Sequence, residues 1–428
     1  MSNIKQTSAR SLLLTILAAS LVVPCAWGQT FKVLHSFGAG GDGLWPEGGL
    51  AFDGQGNLYG VTQIGPLGNG CLGDDGCGTV YQLKPNSDGT WTETVIHAFN
   101  GSDAAFPSAS PVFDSPGNLY GTTDGQGGAG QYPDVVYQLT PGSNGTWTES
   151  ILYQFSDNPY GSDSDPGELI FDATGNIFGT TRFGGLYAGG TTFSLNRALG
   201  WQALLLHTFD YGDDGGGPFG AITFDADGNL YGTTLNGGAY NSGVVYKLTK
   251  RGNLSWQQTV LYAFAGARDG NAPVGVTFGP DGSLYGVTQV GGNLGSVYCE
   301  SGCGTVFKLT PNSDGTWTKT TIYAFRGGPH DGAIPVDRLI FDRAGNIYST
   351  TDGGGNSIVP GYSGYGTVFK MTPSSGGQWT ESVLHFFTGG LDGSGPIGTL
   401  AIDGAGNLYG TAYVGGLYND GVAWEITP

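Results

Sequence analysis

Positive charge is what this chain has least of. Lys and Arg number 16 in 428 residues against 35 Asp and Glu, giving a formal net charge of −19 at neutral pH. A surface of that sign repels nucleic acid and anionic headgroups, so neither is expected as a partner. Long apolar runs are also missing beyond residue 28. A membrane helix needs roughly 20 apolar residues in succession, and no span is expected. No segment sustains a 3.6-residue apolar period, which argues against helical domains. Cysteine is sparse, at five residues. Glycine, at 81 residues, and aromatics, at 12%, are plentiful. That combination suits many short strands joined by tight turns rather than a disordered linker.

Residues 1–28 carry Lys5 and Arg10, an apolar run from Leu12 to Val23 and small residues ending at Ala26-Trp27-Gly28. This is the three-part pattern of a cleaved secretory signal. Cleavage near Gly28 would leave a single domain, residues 29–428, of formal charge −21, placed in the periplasm, at the cell surface or outside the cell. Pro24 directly before Cys25 matches a lipid-attachment signal poorly, so no lipid anchor is expected. Four cysteines remain: Cys71, Cys77, Cys299 and Cys303. In an exported chain an even count reads first as disulfides, with zinc as the competing reading. The short loops before two strands predict the pairs Cys71–Cys77 and Cys299–Cys303.

One repeat dominates the sequence. Gly-Asn-Leu-Tyr-Gly or a close variant occurs seven times, with its Asn position at Asn57, Asn118, Asn176, Asn229, Ser283, Asn346 and Asn407, spaced 61, 58, 53, 54, 63 and 61 residues apart. Four strand-like pieces recur around each copy: an apolar piece ending in Phe-Asp (Leu50–Asp53), the Asn-Leu-Tyr piece, a Thr-Val-Tyr-x-Leu piece (Thr79–Leu83) and one running from Trp to Phe (Trp91–Phe99). Each unit is too small to bury its own faces, so the expectation is an all-β chain, a seven-bladed β-propeller of four-stranded blades. The last repeat lacks its fourth piece, whereas Phe31–Phe37 is an orphan fourth piece matching Val383–Phe387. Pairing the two would complete blade seven and remove an open sheet edge.

The repeat also carries a resemblance. Gly228–Thr234, Gly237-Gly238 and Gly243–Thr249 are similar to the repeat of the bacterial tandem-repeat proteins called choice-of-anchor GloVer-repeat proteins, and the similarity extends over residues 31–428. It implies an exported repeat protein and brings no activity or catalytic residues with it. Some members have a C-terminal sorting anchor, of which this sequence shows no sign.

Candidate site residues fall into three groups. His35, His97, His207 and His385 share one repeat position with Tyr153, Tyr262 and Tyr323, which reads as packing; His330 lies outside that register. An Asp stands at or close to four residues before a Pro in every connection from a fourth to a first strand: Asp42, Asp103, Asp163, Asp214, Asp269, Asp331 and Asp392. These could each cap their own turn, or together ring the mouth of the central channel as a cation or polar-ligand site. Trp45, Glu47, Glu168, Arg268, His330 and Arg338 break the repeat on the same face, where the loops vary as binding loops do. The Asp225–Asn229 turn resembles the start of a calcium loop but lacks the later ligands, so turn chemistry is expected there. Ser87–Trp91 and Ser313–Trp317 resemble a shortened Asp-box of sialidase propellers, itself a structural turn.

The reading is an exported, non-catalytic binding or interaction propeller that recognises a glycan or a protein at its loop face, with Tyr187, Tyr240 and Tyr418 as stacking surfaces. The alternatives are a propeller enzyme (a lactonase, or a polysaccharide lyase or hydrolase) and a purely structural surface repeat, since the fold hosts all of these. No cofactor is expected, with a cation in the channel mouth the one open exception, and the chain is expected to be a monomer.

Overall fold

A computed structural model describes residues 23–24, 29–66, 71, 76–125, 132–155, 166–252, 255–356 and 364–427. Apart from Val23 and Pro24, the residues assigned to the export signal lie outside these, as does Asp163. Seven small antiparallel sheets form a ring, each ordered first, second, third, fourth strand from the channel outward, with Val23–Pro24 added outside the fourth strand of blade 7. Blade 1 shows the pattern with strands Leu44–Phe52, Leu58–Ile64, Thr79–Pro85 and Trp91–Ala98. Among the described residues, helix is confined to three-residue 3-10 turns such as Gly328–His330, and none is long and apolar enough to cross a membrane.

The ring closes as the repeat phase predicts. Thr30–Ser36 pairs antiparallel with Val422–Thr427, so the N-terminal strand is the fourth strand of blade 7. Phe31 and Phe37 are fully buried there. The closing strand joins three blades: Phe31 stacks on His385 of blade 6 at 3.8 Å and reaches Trp424 of blade 7 at 5.9 Å, and Phe37 meets Tyr81 of blade 1 at 4.8 Å.

Three features of the repeat explain its residue types. In blade 1 the Asp53 carboxylate, at the end of the first strand, accepts from the Asn57 side chain at 2.7 Å, from the amides of Gln55 and Asn57, and from Tyr59 Oη. Equivalent bonds recur at Asp114, Asp225, Asp342 and Asp403. The turn therefore consumes the carboxylate that a calcium loop would have offered.

The second feature is an aromatic seam. The second-strand Tyr of one blade is clasped by the first-strand Phe and the fourth-strand Trp of the next, as Tyr59 is by Phe113 and Trp147 at 4.9 and 5.8 Å, both edge to face. Trp91, Trp201, Trp256, Trp317 and Trp379 repeat the arrangement. These edge-to-face pairs each add about 0.5–1.5 kcal/mol beyond area burial.

The third feature is a glycine before the third strand on which the Pro of the following blade rests. A Cβ on Gly243 would come within 2.5 Å of Pro273 Cδ, and one on Gly304 equally close to Pro335 Cδ. Gly421 and Pro46 repeat this contact across the closing seam. The residue before the Pro is left-handed, even where it is Trp45, Phe106, Ala272 or Ile334, with φ between 55° and 59°. Strain of that kind persists only where surrounding packing over-determines it.

Candidate functional site

The irregular starts of the first strands converge on the loop face and line one cavity of about 340 Å³ at the channel mouth. All seven blades contribute: Glu47 and Gly48, Ser108–Ser110, Pro166–Glu168, Phe219–Ala221, Val274, Val336–Arg338 and Ile397–Thr399, with Gln289 and Asp352 from the ends of second strands. Most blades place small or apolar residues here. Charge enters only from blade 1 (Glu47), blade 3 (Glu168) and blade 6 (Asp337, Arg338 and Asp352).

Glu168 organises the group. Its Oε1 accepts from Ser110 Oγ and Thr399 Oγ1, each at 2.7 Å, tying blade 3 to blades 2 and 7. Its Oε2 stands 3.6 Å from Arg338 Nε. Asp337 lines the cavity and is half-buried. That burial, with the charge of Glu168 adding to it, pushes its carboxyl up to about 7, against a hydrogen bond from Thr350 Oγ1 at 3.1 Å. Burial likewise raises Asp352. Four carboxylates and one guanidinium thus share a cavity whose other walls are Ala109, Phe219, Val274 and Ile397.

The expected carboxylate ring is elsewhere. None of Asp42, Asp103, Asp214, Asp269, Asp331 and Asp392 lines this cavity. They sit at the outer strands, where each fourth strand carries a bulge that turns its His or Tyr toward the connection that follows. The register shift recurs in all seven blades immediately before His35, His97, Tyr153, His207, Tyr262, Tyr323 and His385. Bulges re-aim side chains in this way. His35, His207 and His385 Nε2 donate to Asp42, Asp214 and Asp392 at 2.8, 2.9 and 3.0 Å. Tyr262 and Tyr323 donate to Asp269 and Asp331 at 2.9 and 3.0 Å. Each of these five Asp also accepts an amide of its own loop, as Asp42 does from Gly38 at 3.1 Å and Asp331 from Arg326 at 2.8 Å. The shared His/Tyr position packs edge-on against the Phe two residues on in every blade, as expected, and in these five it also donates to the connection Asp.

Facing these pairs from the next blade is the residue two after the Trp. Lys319 bonds Asp269 at 2.9 Å. Glu93, Glu149 and Glu381 occupy the same repeat position. Burial pushes all three up to about 7, with Asp42, Asp103 and Asp331 adding to the rise and His35 opposing it at Glu93.

Of the residues that break the repeat, Glu47, Glu168 and Arg338 meet at the cavity. Trp45 lies beside it in the closing seam, its ring 5.5 Å from that of Tyr413. His330 and Arg268 are exposed in connections and do not line the cavity. Tyr187, Tyr240 and Tyr418 stand out from the loops at 58%, 64% and 48% exposure. Asp337 and Asp352 were missed in the sequence. The signal was present, since Asp337 stands where five other blades have Gly48, Ala109, Gly167, Gly220 and Gly398. The disulfides are Cys71–Cys77 and Cys299–Cys303, as the loop lengths predicted.

Solved structures are similar to the chain at low identity. The periplasmic gluconolactonase of Pseudomonas aeruginosa is 15% identical over 78% of this chain and 84% of its own, at a TM-score of 0.49. PhoX of Pseudomonas fluorescens, solved in complex with vanadate, is 11% identical over 96% of both chains, at a TM-score of 0.48. A luciferin-regenerating enzyme is 14% identical over 84% of this chain and 97% of its own, at a TM-score of 0.45. At such identities the likeness says nothing of activity or ligand. No curated protein matches the chain. The Gloeobacter/Verrucomicrobia repeat matches residues 71–298, 126–359 and 254–428, overlapping spans that together run from Cys71 to Pro428, and the chain belongs to that repeat family.

Proposed function

We propose that this propeller is an exported, non-catalytic binding module that holds a neutral or cationic glycan at its loop face. The observation that carries the reading is the asymmetric cavity: seven similar first strands converge, yet its charged groups come from three blades only. Ligand sites combine mainly apolar walls with a few fixed polar groups, in volumes from about 300 Å³ upward. Glu168 is oriented by two hydroxyls, and oriented carboxylates accept sugar hydroxyls well. The exposed Tyr187, Tyr240 and Tyr418 offer flat stacking surfaces on the same face. Four carboxylates against one Arg, on a chain of net charge −19, disfavour acidic polymers. Two disulfides accord with an oxidising compartment outside the cytoplasm.

A second reading, a hydrolytic enzyme, draws on one observation: Asp337, with its carboxyl near 7, has the protonation behaviour of a general acid or base. Titration of the purified protein with neutral and amino-sugar oligosaccharides separates the two. Binding weakened by Glu168→Gln and by Tyr240→Ala, without product formation, supports the module. Turnover of a lactone or polysaccharide that is lost in Asp337→Asn would replace it with the enzyme.

A further inference from the structure

We propose that the seam between blades 1 and 2 binds one divalent transition-metal ion, best matched by zinc, through His97 Nε2, Asp103 Oδ2 and Glu149 Oε1. Three observations support this. First, the three atoms lie within 4.8 Å of one another, and no other such His/Cys/Asp/Glu group occurs among the described residues. Second, the imidazole does not close on its carboxylate as at the other seams. Its Nε2 is 3.7 Å from Asp103 and 3.6 Å from Glu149, whereas His35, His207 and His385 approach their Asp to 2.8–3.0 Å. A hydrogen bond needs about 2.7–3.2 Å. Two ligands each about 2.0–2.2 Å from a tetrahedral zinc ion stand roughly 3.3–3.6 Å apart. Third, His97 Nε2 and Glu149 Oε1 are shut off from solvent without a hydrogen-bond partner, a costly state that a shared ion would relieve.

The site is also held in place. Asp103 is fixed by the amides of Asn100 and Ala104 at 3.0 and 2.7 Å and by Asn100 Nδ2 at 2.7 Å, and the His97 ring packs edge-on against Phe99 at 4.6 Å. Such supporting bonds orient metal ligands. One imidazole with two carboxylates favours zinc or its neighbours over calcium and magnesium, which take all-oxygen shells. The seam between blades 7 and 1 is an internal control. It carries the same residue types, His35, Asp42 and Glu93, but there the imidazole is already hydrogen-bonded at 2.8 Å.

The test is calorimetric titration of the chelator-treated, full-length secreted protein with zinc chloride, with cobalt(II) absorption as a second reading of the ligand set. One site per chain is expected. Affinity should fall by at least about 100-fold in His97→Gln and in Glu149→Gln, beyond the 10–100-fold typical of losing a supporting residue, and stay unchanged in Glu93→Gln. Urea midpoints of the metal-free variants verify that each is folded. Absence of saturable zinc and cobalt binding in the wild type would overturn the proposal. So would binding that survives both seam substitutions, or that falls equally in Glu93→Gln.

Discussion

Deleting residues 29–38 tests the closure of the ring most directly. The deletion removes the fourth strand of blade 7 and with it the buried side chains of Phe31, Leu34 and Phe37. Each such side chain contributes about 1.5–3 kcal/mol when buried, so the burial term alone is roughly 5–9 kcal/mol. A whole domain is stable by only about 5–15 kcal/mol. The truncated chain is therefore expected to be largely unfolded, or to associate through the bared edge of Val422–Thr427, since an unpaired strand recruits another chain. The losses also reach beyond one blade, because Phe31 contacts blade 6 and Phe37 contacts blade 1. Urea unfolding followed by far-UV circular dichroism, with size-exclusion chromatography alongside, gives the readout. A synthetic peptide of residues 29–38, added back, should restore the midpoint by strand addition. A truncated monomer with an unchanged midpoint would refute the closure argument.

Three further outcomes are expected. Gly421→Ala places a methyl group against Pro46 at a residue whose φ is +100°, and should lower stability by more than the about 1 kcal/mol by which an unstrained Gly→Ala change raises it; an unchanged thermal midpoint would count against the glycine–proline contact. Because Glu93, Glu381 and Asp337 titrate near 7 when folded and at 3.8–4.5 otherwise, the folded state holds extra protons in that window. Stability should therefore be greatest near pH 4.5 and decline toward pH 7, and a urea midpoint that rises over the same range would contradict the buried-carboxyl assignment. Reducing the two disulfides, whose loops are short, should cost roughly 2 kcal/mol each in the chain-entropy account and leave the propeller folded; non-reducing peptide mapping that linked Cys71 to blade 5 would refute the pairing.

The sequence by itself determined blade number, strand order and the closing pair, because the repeat reports them through local chemistry. Gly-Asn-Leu-Tyr encodes a turn whose Asp, Asn and Tyr satisfy one another within seven residues, so each copy declares a blade wherever it occurs. The Cys pairs were legible for the same reason, being only six and four residues apart. What a side chain faces across a seam is different, since that depends on residues far away in the chain, 44 positions for Gln258 and Asp214 and 231 for Glu168 and Thr399. The bulge before each fourth-strand His or Tyr turns that side chain toward the connection Asp, and no local pattern announces a one-residue register shift. Glu168 stood out in the sequence as a residue that breaks the repeat, but only ring closure brings Thr399, 231 residues on, to within 2.7 Å of it. Tertiary structure likewise decided that His97, alone of the four histidines at its repeat position, stands apart from its Asp and equally far from Glu149 of the next blade, a spacing that no local sequence pattern records.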